Sequence, residues 1–183
     1  MSTDRQKSFI AIVGIQTNLV HFLDVVNGEK ATVNSSMFSG GHFTGKPQSR
    51  DDSHRLSLRP EPRLTLYFRY TDRGYRLYIR TPGPYYGKCL GIDKDGILGA
   101  FAPDGSSFYQ LIGKQGNTLS IEDHQSNKLE AYLQVSGSPS LLHTHRLHDS
   151  KFTYFADKGG KPFKFNLTII ERNAPYINHP DEI

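Results

Sequence analysis

Apolar and polar residues alternate along most of this chain, and the spacing typical of a helix is rare. In Arg76–Arg80, Leu77 and Ile79 are apolar between polar neighbours. The segments Thr118–Glu122 and Arg63–Tyr67 follow the same pattern. A period of two places one face of a strand against a core and the other face in solvent. The pattern therefore predicts an all-β fold built from many short strands.

Turn signals separate these strands. Asn-Gly and Asp-Gly pairs suit tight hairpins because both central residues need a positive φ. The predicted turns are Asn27–Gly28, Asp72–Gly74, Asp95–Gly96, Asp104–Gly105, Gln115–Asn117 and Gly159–Gly160. Short strands with frequent turns indicate a closed barrel or a sandwich.

A unit of strands recurs three times along the chain. Each copy has a short apolar segment, which follows an alternating strand and precedes a glycine turn. These segments are His21–Val25, Lys88–Ile92 and Ala131–Val135. In the third copy, Thr118–Glu122 is the expected first strand and Phe152–Phe155 the expected fourth. Such repetition specifies an architecture and leaves function to the places where the copies differ.

Some segments depart from the repeat. Ser39–Asp52 is polar and rich in glycine, so it is predicted as a loop inserted in the first copy. Phe163–Ile170 is one further alternating strand, which either closes a barrel or extends its edge. Residues 1–7 are polar, and residues 171–183 contain prolines without periodicity, which predicts a surface tail.

The second copy resembles one unit of the β-trefoil superfamily. It runs from Tyr86 through Leu90 and the Asp95–Gly96 turn to Phe108. It is more similar to the fascin, hisactophilin and fibroblast-growth-factor branch than to ricin-type lectins, whose Gln-x-Trp signature needs a tryptophan that this chain lacks. The resemblance implies three four-strand units closed into a barrel with a hairpin cap. Those units would span about residues 8–66, 67–112 and 113–170.

The composition fits one such domain over residues 8–170. The chain has 183 residues, and its 11 Phe and 10 Tyr supply bulky side chains for one core. A formal charge of +4 is only mildly basic, which does not favour a nucleic-acid partner. Cys89 is the only cysteine, so no intramolecular disulfide forms, and its apolar surroundings predict a buried thiol.

No targeting or membrane-spanning segment is recognisable in the sequence. The polar start leads into Phe9–Val13 without the basic region, apolar run and cleavage site of a signal peptide. No window approaches the roughly 18 apolar residues that a membrane helix needs. We expect a soluble protein that is cytoplasmic or is released without a classical signal peptide.

A proline-stiffened loop carries the leading candidates for ligand binding. Tyr85 and Tyr86 offer flat faces with hydroxyl tips, which suit stacking on sugar rings and contacts at protein interfaces. Lys88, Asp93 and Asp95 supply polar groups nearby in the sequence. The alternative interpretation is that one tyrosine packs into the base of the barrel.

Three histidines form a His-x-His-x-x-His pattern in the third copy. The rings of His143 and His145 would point to the same side of a strand, and His148 follows, which suits a zinc or copper site. The alternative is a polar hairpin rim with solvated histidines, because Asp149 is the only carboxylate at a ligand-like offset. No metal ligand and no cofactor is assigned.

No catalytic motif stands out. Asp51 and Asp52 with His54, or Asp149 with His148, could pair as acid and base. Nothing in the sequence places a nucleophilic serine or cysteine beside them. Asp93–Gly96 begins like a calcium loop but lacks the remaining oxygen ligands, so it is predicted as a hairpin turn. We expect a protein that binds and does not catalyse.

Arginines cluster on one predicted hairpin. They are Arg63, Arg69, Arg73, Arg76 and Arg80, interleaved with Tyr67, Tyr75 and Tyr78. Such a face could meet an acidic protein, a sulfated glycan or a phosphate backbone. Equally, charges on the outside of a barrel keep exposed strands from pairing with other chains.

The sequence thus favours a lectin-like protein that binds a glycan or glycoprotein through surface loops. The alternative is a cytoskeletal or receptor-directed protein-interaction module that uses the face rich in Arg and Tyr.

Overall fold

The fold is all-β, as the alternating pattern predicts, and contains almost no helix. A computed structural model describes residues 3–14, 19–22, 32–34, 49–59, 63–147, 152–158 and 160–175. The helical elements are α1 (Asp4–Lys7) and a 3-10 turn at Pro103–Gly105. The strands are β1 (Phe9–Gly14), β2 (Leu19–Phe22), β3 (Thr32–Asn34), β4 (Ser49–Asp51), β5 (Leu56–Arg59), β6 (Leu64–Thr71), β7 (Gly74–Ile79), β8 (Cys89–Ile92), β9 (Leu98–Phe101), β10 (Tyr109–Ile112), β11 (Lys128–Val135), β12 (His143–Arg146), β13 (Thr153–Ala156) and β14 (Lys164–Arg172).

Six strands form a closed antiparallel barrel. The order around it is β1, β14, β11, β10, β7 and β6, and β6 pairs with β1 to complete the ring. Closure leaves no unpaired edge in the barrel. The alternating segment Phe163–Ile170, for which the sequence left two positions open, lies in β14 and closes the barrel between β1 and β11.

Three further strand pairs lie outside the barrel. They are β2 with β5, β8 with β9, and β12 with β13. In chain order, each pair stands between two barrel strands, so the same arrangement occurs three times. Single bridges join the outer pairs to one another, at Ser57 and Tyr154, Arg55 and Gly99, and Ile97 and Ala156.

Aromatic rings and aliphatic side chains from the barrel strands fill the interior. Phe9 and Phe68 stack with ring centroids 4.5 Å apart, and Tyr75 meets both rings edge-on. Leu77 and Ile79 point inward and are buried, which confirms the alternation predicted for their strand. Burying one large apolar side chain contributes about 1.5–3 kcal/mol, so this interior is the main source of stability.

The sequence pattern misplaces three strands of the third copy. Ala131–Val135 lies in the barrel strand β11, whereas the two segments matched to it overlap the outer strands β2 and β8. Thr118–Glu122 is not a strand, because only a bridge from Ile112 to Thr118 and a bond from the Leu119 N–H to the Leu111 carbonyl connect it to β10. The apolar residue Ile121 is nevertheless buried, although no described strand pairs with this segment. Burial of a residue outside a strand thus explains part of the alternating pattern. Phe152–Phe155 is not the last strand of a barrel unit, because most of it forms β13 in an outer pair.

Part of the predicted insertion forms a strand. Ser49–Asp51 pairs with Thr32–Asn34 in a separate two-stranded sheet, and the next residue, Asp52, is completely buried. These contacts tie the end of the insertion to the rest of the fold. Residues 39–48 of the insertion lie outside the described residues.

The beginning and the end of the described chain meet beside β1. Thr3 and Gln6 form a capping box that starts α1, in which each side chain accepts a hydrogen bond from the other residue's backbone N–H. The N–H of Ala174 donates to the Ser8 carbonyl, and Ala174 is buried. The first part of the predicted tail is therefore packed on the barrel, and residues 176–183 fall outside the described part.

Candidate functional site

Tyr85 is packed against the core. Its side chain is 9% exposed, and its ring centroid lies 4.5 Å from that of Phe22. The Lys88 Nζ lies 5.2 Å from the same centroid. The space beside this ring is a cavity of about 10 Å³, enough for roughly one water molecule. Tyr85 thus has the packed position that one of the two interpretations of the loop gave it.

Tyr86 is the exposed tyrosine of the same loop, with 37% of its surface accessible. Its N–H donates to the Gly83 carbonyl at 3.1 Å, and the Lys88 N–H donates to the Tyr85 carbonyl at 3.0 Å. Within this turn, Tyr85 is buried and Tyr86 is exposed. In the described residues no ring contact or side-chain hydrogen bond involves Tyr86.

Asp93 and Asp95 belong to a charged cluster around Arg55. The Arg55 Nη2 lies 2.6 Å from Asp93 Oδ2 and 2.8 Å from Asp95 Oδ2. Its Nη1 lies 3.1 Å from Asp52 Oδ1, although the N–H does not point at the oxygen, so this contact is an ion pair without a hydrogen bond. Arg55 is 3% exposed and Asp52 is fully buried. One buried cation therefore meets three carboxylates.

Asp93 also shapes the turn between β8 and β9. Its Oδ1 accepts hydrogen bonds from the N–H groups of Asp95 and Ile97, at 2.8 and 2.9 Å. A side chain that accepts from the backbone two residues ahead is typical of a tight turn. The structure confirms Asp93–Gly96 as a hairpin turn, and both carboxylates predicted for ligand binding have partners within the protein.

The cluster connects all three outer strand pairs. Asp52 and Arg55 precede β5, the Asp93 and Asp95 carboxylates come from the turn between β8 and β9, and the Tyr154 hydroxyl on β13 donates to Asp52. The Arg55 guanidinium also lies 5.8 Å from the centroid of the Tyr154 ring. Sequence reasoning did not single out Arg55, and the only local signal was the neighbouring pair of Asp52 and His54.

His54 lies beside this cluster with a lowered pKa. Burial is the main cause and the positive charge of Arg55 the second, whereas Asp93, Asp51 and Asp52 oppose the shift. The ring also meets Phe101 edge-on at a centroid distance of 5.6 Å. The folded protein therefore favours the neutral imidazole.

This shift predicts a pH dependence. Below about pH 6.5 the unfolded chain binds a proton at His54 more readily than the folded protein does. The free energy of unfolding therefore decreases as the pH is lowered through that range. We expect that in the His54→Gln variant this contribution is absent. Urea unfolding at about pH 7.5 and about pH 5.5 should then show a smaller wild-type advantage at the lower pH. An advantage that stays constant or grows would contradict the assignment.

The structure describes two of the three histidines of the third copy, His143 and His145. His143 is 2% exposed, and its ring centroid lies 6.1 Å from that of His145. The Nε2 of His143 is buried and has no hydrogen-bond partner among the residues that the structure describes. Among residues with a described position, no group of three His, Cys, Asp or Glu side chains could hold a metal ion, and His148 lies outside that set.

Cys89 is buried and free, as the sequence predicts. Burial raises the pKa of its thiol to about 12. A thiol that stays protonated at neutral pH is a poor nucleophile. Cys89 therefore acts as a small core side chain.

A cavity of about 390 Å³ opens at one end of the barrel. It lies between α1, the turn from β6 to β7 and the segment that precedes β11. Gly74 in this turn has a φ of 110°, and a Cβ there would lie 2.6 Å from the Tyr109 carbonyl oxygen. Only glycine fits at position 74, because the positive φ strains other residues and a Cβ would clash with the Tyr109 carbonyl oxygen.

The walls of the cavity combine aromatic, hydroxyl, amide and carboxylate groups. Tyr70, Tyr75 and Leu119 supply ring and aliphatic surface. The polar side chains at the cavity are Asp72, Gln110, Thr118, Ser120, Glu122 and Asp123. Burial raises the pKa of the Tyr75 hydroxyl, which remains a neutral hydrogen-bonding group.

A lysine from the N-terminal helix completes this cavity. The Lys7 Nζ lies 4.5 Å from the centroid of the Tyr70 ring, and Tyr70 meets Tyr75 edge-on at 5.3 Å. With three carboxylates and one ammonium in its lining, the cavity has an excess of negative charge. The sequence prediction missed this site because its walls come from distant segments, and the only signal was the run of hydroxyl and acidic residues in Thr118–Asp123.

The predicted arginine cluster lies on the outer side of β6 and β7, and we call Arg69, Arg73, Arg76 and Arg80 the arginine face. Arg69 and Arg76 are cross-strand partners. Of the tyrosines expected among them, Tyr78 is partly exposed. Two others are buried: Tyr75 in the barrel core, and Tyr67 beneath the C-terminal segment, where its hydroxyl donates to the Pro175 carbonyl.

These features define an all-β protein with a closed six-strand barrel, three outer strand pairs and a polar cavity at one end of the barrel. Comparison of the chain with protein-family models, curated proteins and solved structures finds no match. The described residues contain no helix with the length and apolar character needed to cross a membrane.

Proposed function

We propose that this protein is a non-catalytic, lectin-like binding protein with a β-trefoil fold, and that it binds carbohydrate in the cavity at the end of the barrel. The fold proposal is supported by the order of barrel strand, outer pair and barrel strand, which occurs three times. It is supported further by the resemblance of the second copy to a trefoil unit. The ligand proposal is supported by the size and the lining of the cavity.

The observation that carries the ligand proposal is the chemistry of the cavity walls. Ligand cavities usually measure about 300–1,000 Å³ and combine apolar surface with a few polar groups that fix orientation. A sugar presents many hydroxyls and an apolar ring face. Gln110, Thr118 and Glu122 offer an amide, a hydroxyl and a carboxylate to the hydroxyls, and Tyr70 offers ring surface to the apolar face.

The cavity is a better sugar site than the loop predicted from sequence. The Tyr85 ring already has Phe22 and Lys88 as neighbours and is buried. Asp93 and Asp95 bind Arg55, so a sugar hydroxyl would have to compete with an ion pair. Glu122 is exposed at the cavity, where its Oε2 accepts a 3.5 Å hydrogen bond from the Ser120 hydroxyl. The proposed partner remains a glycan or glycoprotein.

A glycan array tests this proposal. We expect the wild-type protein to bind a defined subset of glycans. Removing the amide and the carboxylate in a Gln110→Ala/Glu122→Ala variant should weaken that binding by about tenfold or more, because a hydrogen bond to a charged group contributes about 1.5–3 kcal/mol. Neither side chain is buried, so the variant should fold.

Tyr86→Ala is the matched control, because it removes an exposed aromatic side chain outside the cavity. We expect it to bind glycans as the wild type does. Loss of binding in this control, with retention in the cavity variant, would move the site to the loop. Absence of any bound glycan for the wild-type protein would refute the carbohydrate proposal.

A further inference from the structure

The arginine face places like charges side by side on neighbouring strands. Arg69 and Arg76 stand directly opposite each other in the register of β6 and β7. Like charges in such positions weaken a sheet. A ligand of opposite charge at Arg76 would reduce this repulsion.

An aromatic ring holds two of the guanidinium groups in place. The Cζ atoms of Arg73 and Arg76 lie 4.3 and 4.6 Å from the centroid of the Phe108 ring. On the neighbouring strand, Arg69 Nη1 donates to the Tyr78 hydroxyl at 3.3 Å. Side chains that are held before binding lose less conformational freedom when a ligand arrives. The face is thus organised in advance for an anion.

Three arginines of this face have no ion-pair partner within the described part of the protein. None of the ion pairs found there includes Arg73, Arg76 or Arg80. An anion at the face would supply the missing opposite charge to these guanidinium groups.

We propose that the arginine face binds an acidic segment of a partner protein through its carboxylates. Guanidinium groups bind carboxylates with two parallel hydrogen bonds. Arginine and aromatic residues are also enriched at protein interfaces. The formal charge of the whole chain is +4, and the basic groups in question share one hairpin, which favours a short acidic segment over a nucleic acid.

The arginine face and the proposed carbohydrate site use different side chains. None of the four arginines lines the cavity, although Arg73 stands between Asp72 and Gly74, which do. The cavity lining is negative and the arginine face positive, so an acidic segment favours the arginine face. Either proposal can therefore fail while the other holds.

The test is fluorescence anisotropy with a labelled oligoglutamate peptide. We expect binding that weakens as salt is raised, because screening reduces attraction between exposed charges. Arg73→Gln and Arg76→Gln should each weaken binding several-fold, and together by about tenfold or more. Arg73 is exposed, so its variant reports on binding even if Arg76→Gln affects folding. Lys128→Gln, an exposed cation on β11, is the control and should bind normally.

The same variants are titrated with a single-stranded oligonucleotide and with a heparin oligosaccharide. Weaker binding of both than of the peptide supports the proposal. Tighter binding of either one, with the same dependence on Arg73 and Arg76, would assign the face to that polyanion instead. Equal weakening in Lys128→Gln, or no peptide binding by the wild-type protein, would also overturn the proposal.

Discussion

Replacing Arg55 with alanine should lower the free energy of unfolding by about 3–5 kcal/mol, the range found when one partner of a buried ion pair is removed. Arg55 is 3% exposed and is the only cation that contacts Asp52, Asp93 and Asp95 in the described cluster. Without it, fully buried Asp52 would lose its ion pair and retain the bond from Tyr154. Urea unfolding measures this loss. We expect the slope of the free energy of unfolding against urea concentration to be the same in the variant and the wild type.

Lys164→Ala is the matched control for Arg55→Ala. Lys164 Nζ lies 2.6 Å from Glu130 Oε2, but the two side chains are 28% and 62% exposed. An ion pair in solvent contributes up to about 1 kcal/mol, so this variant should be nearly as stable as the wild type. Similar losses for the two variants would show that the Arg55 cluster does not hold the outer strand pairs together.

Replacing Tyr85 with alanine should destabilise the protein by about 3 kcal/mol or more, as expected for an aromatic side chain removed from a core. The variant loses the contact with Phe22 and leaves a cavity beside it. Tyr86→Ala makes the same chemical change at the adjacent, exposed position, and it should change stability by only about 0.5 kcal/mol. Thermal or urea unfolding of both variants gives the comparison.

A different pair of results would return Tyr85 to the role predicted from sequence. If Tyr85→Ala kept wild-type stability and lost glycan binding, its ring would be a ligand platform and not a packing element. We expect the reverse, because the Tyr85 ring is buried and packs against Phe22.

The sequence predicted the features that depend on local periodicity. Alternation alone placed Leu77 and Ile79 inside and Arg76 and Tyr78 outside, since successive side chains on a strand point to opposite faces. Burial of Cys89 followed from its apolar surroundings in the same way. These predictions needed no knowledge of which strands pair.

The features that depend on distant contacts were beyond the sequence. Arg55 meets Asp93 across 38 residues of chain, and no local pattern encodes that pairing. The cavity has the same origin, because α1, the turn after β6 and the segment around Ser120 meet only in the folded barrel. Alternation also failed at Thr118–Glu122, where Ile121 is buried without a neighbouring strand to complete the ladder.

The charged cluster around Arg55 and the cavity thus have different characters. At the outer strand pairs, the carboxylates bind one buried arginine and contribute to stability. At the cavity, carboxylate, amide and hydroxyl groups surround open space beside the Tyr70 ring. This contrast is the reason for placing ligand binding at the barrel end.

The most direct test of this placement is a titration of isotope-labelled protein with the strongest glycan from the array, followed by amide NMR shifts. We predict that the largest shift changes fall on residues at the cavity, such as Gly74, Gln110 and Ser120. Largest changes in the loop that contains Gly83, Gly87 and Lys88, with the cavity amides unmoved, would contradict the account.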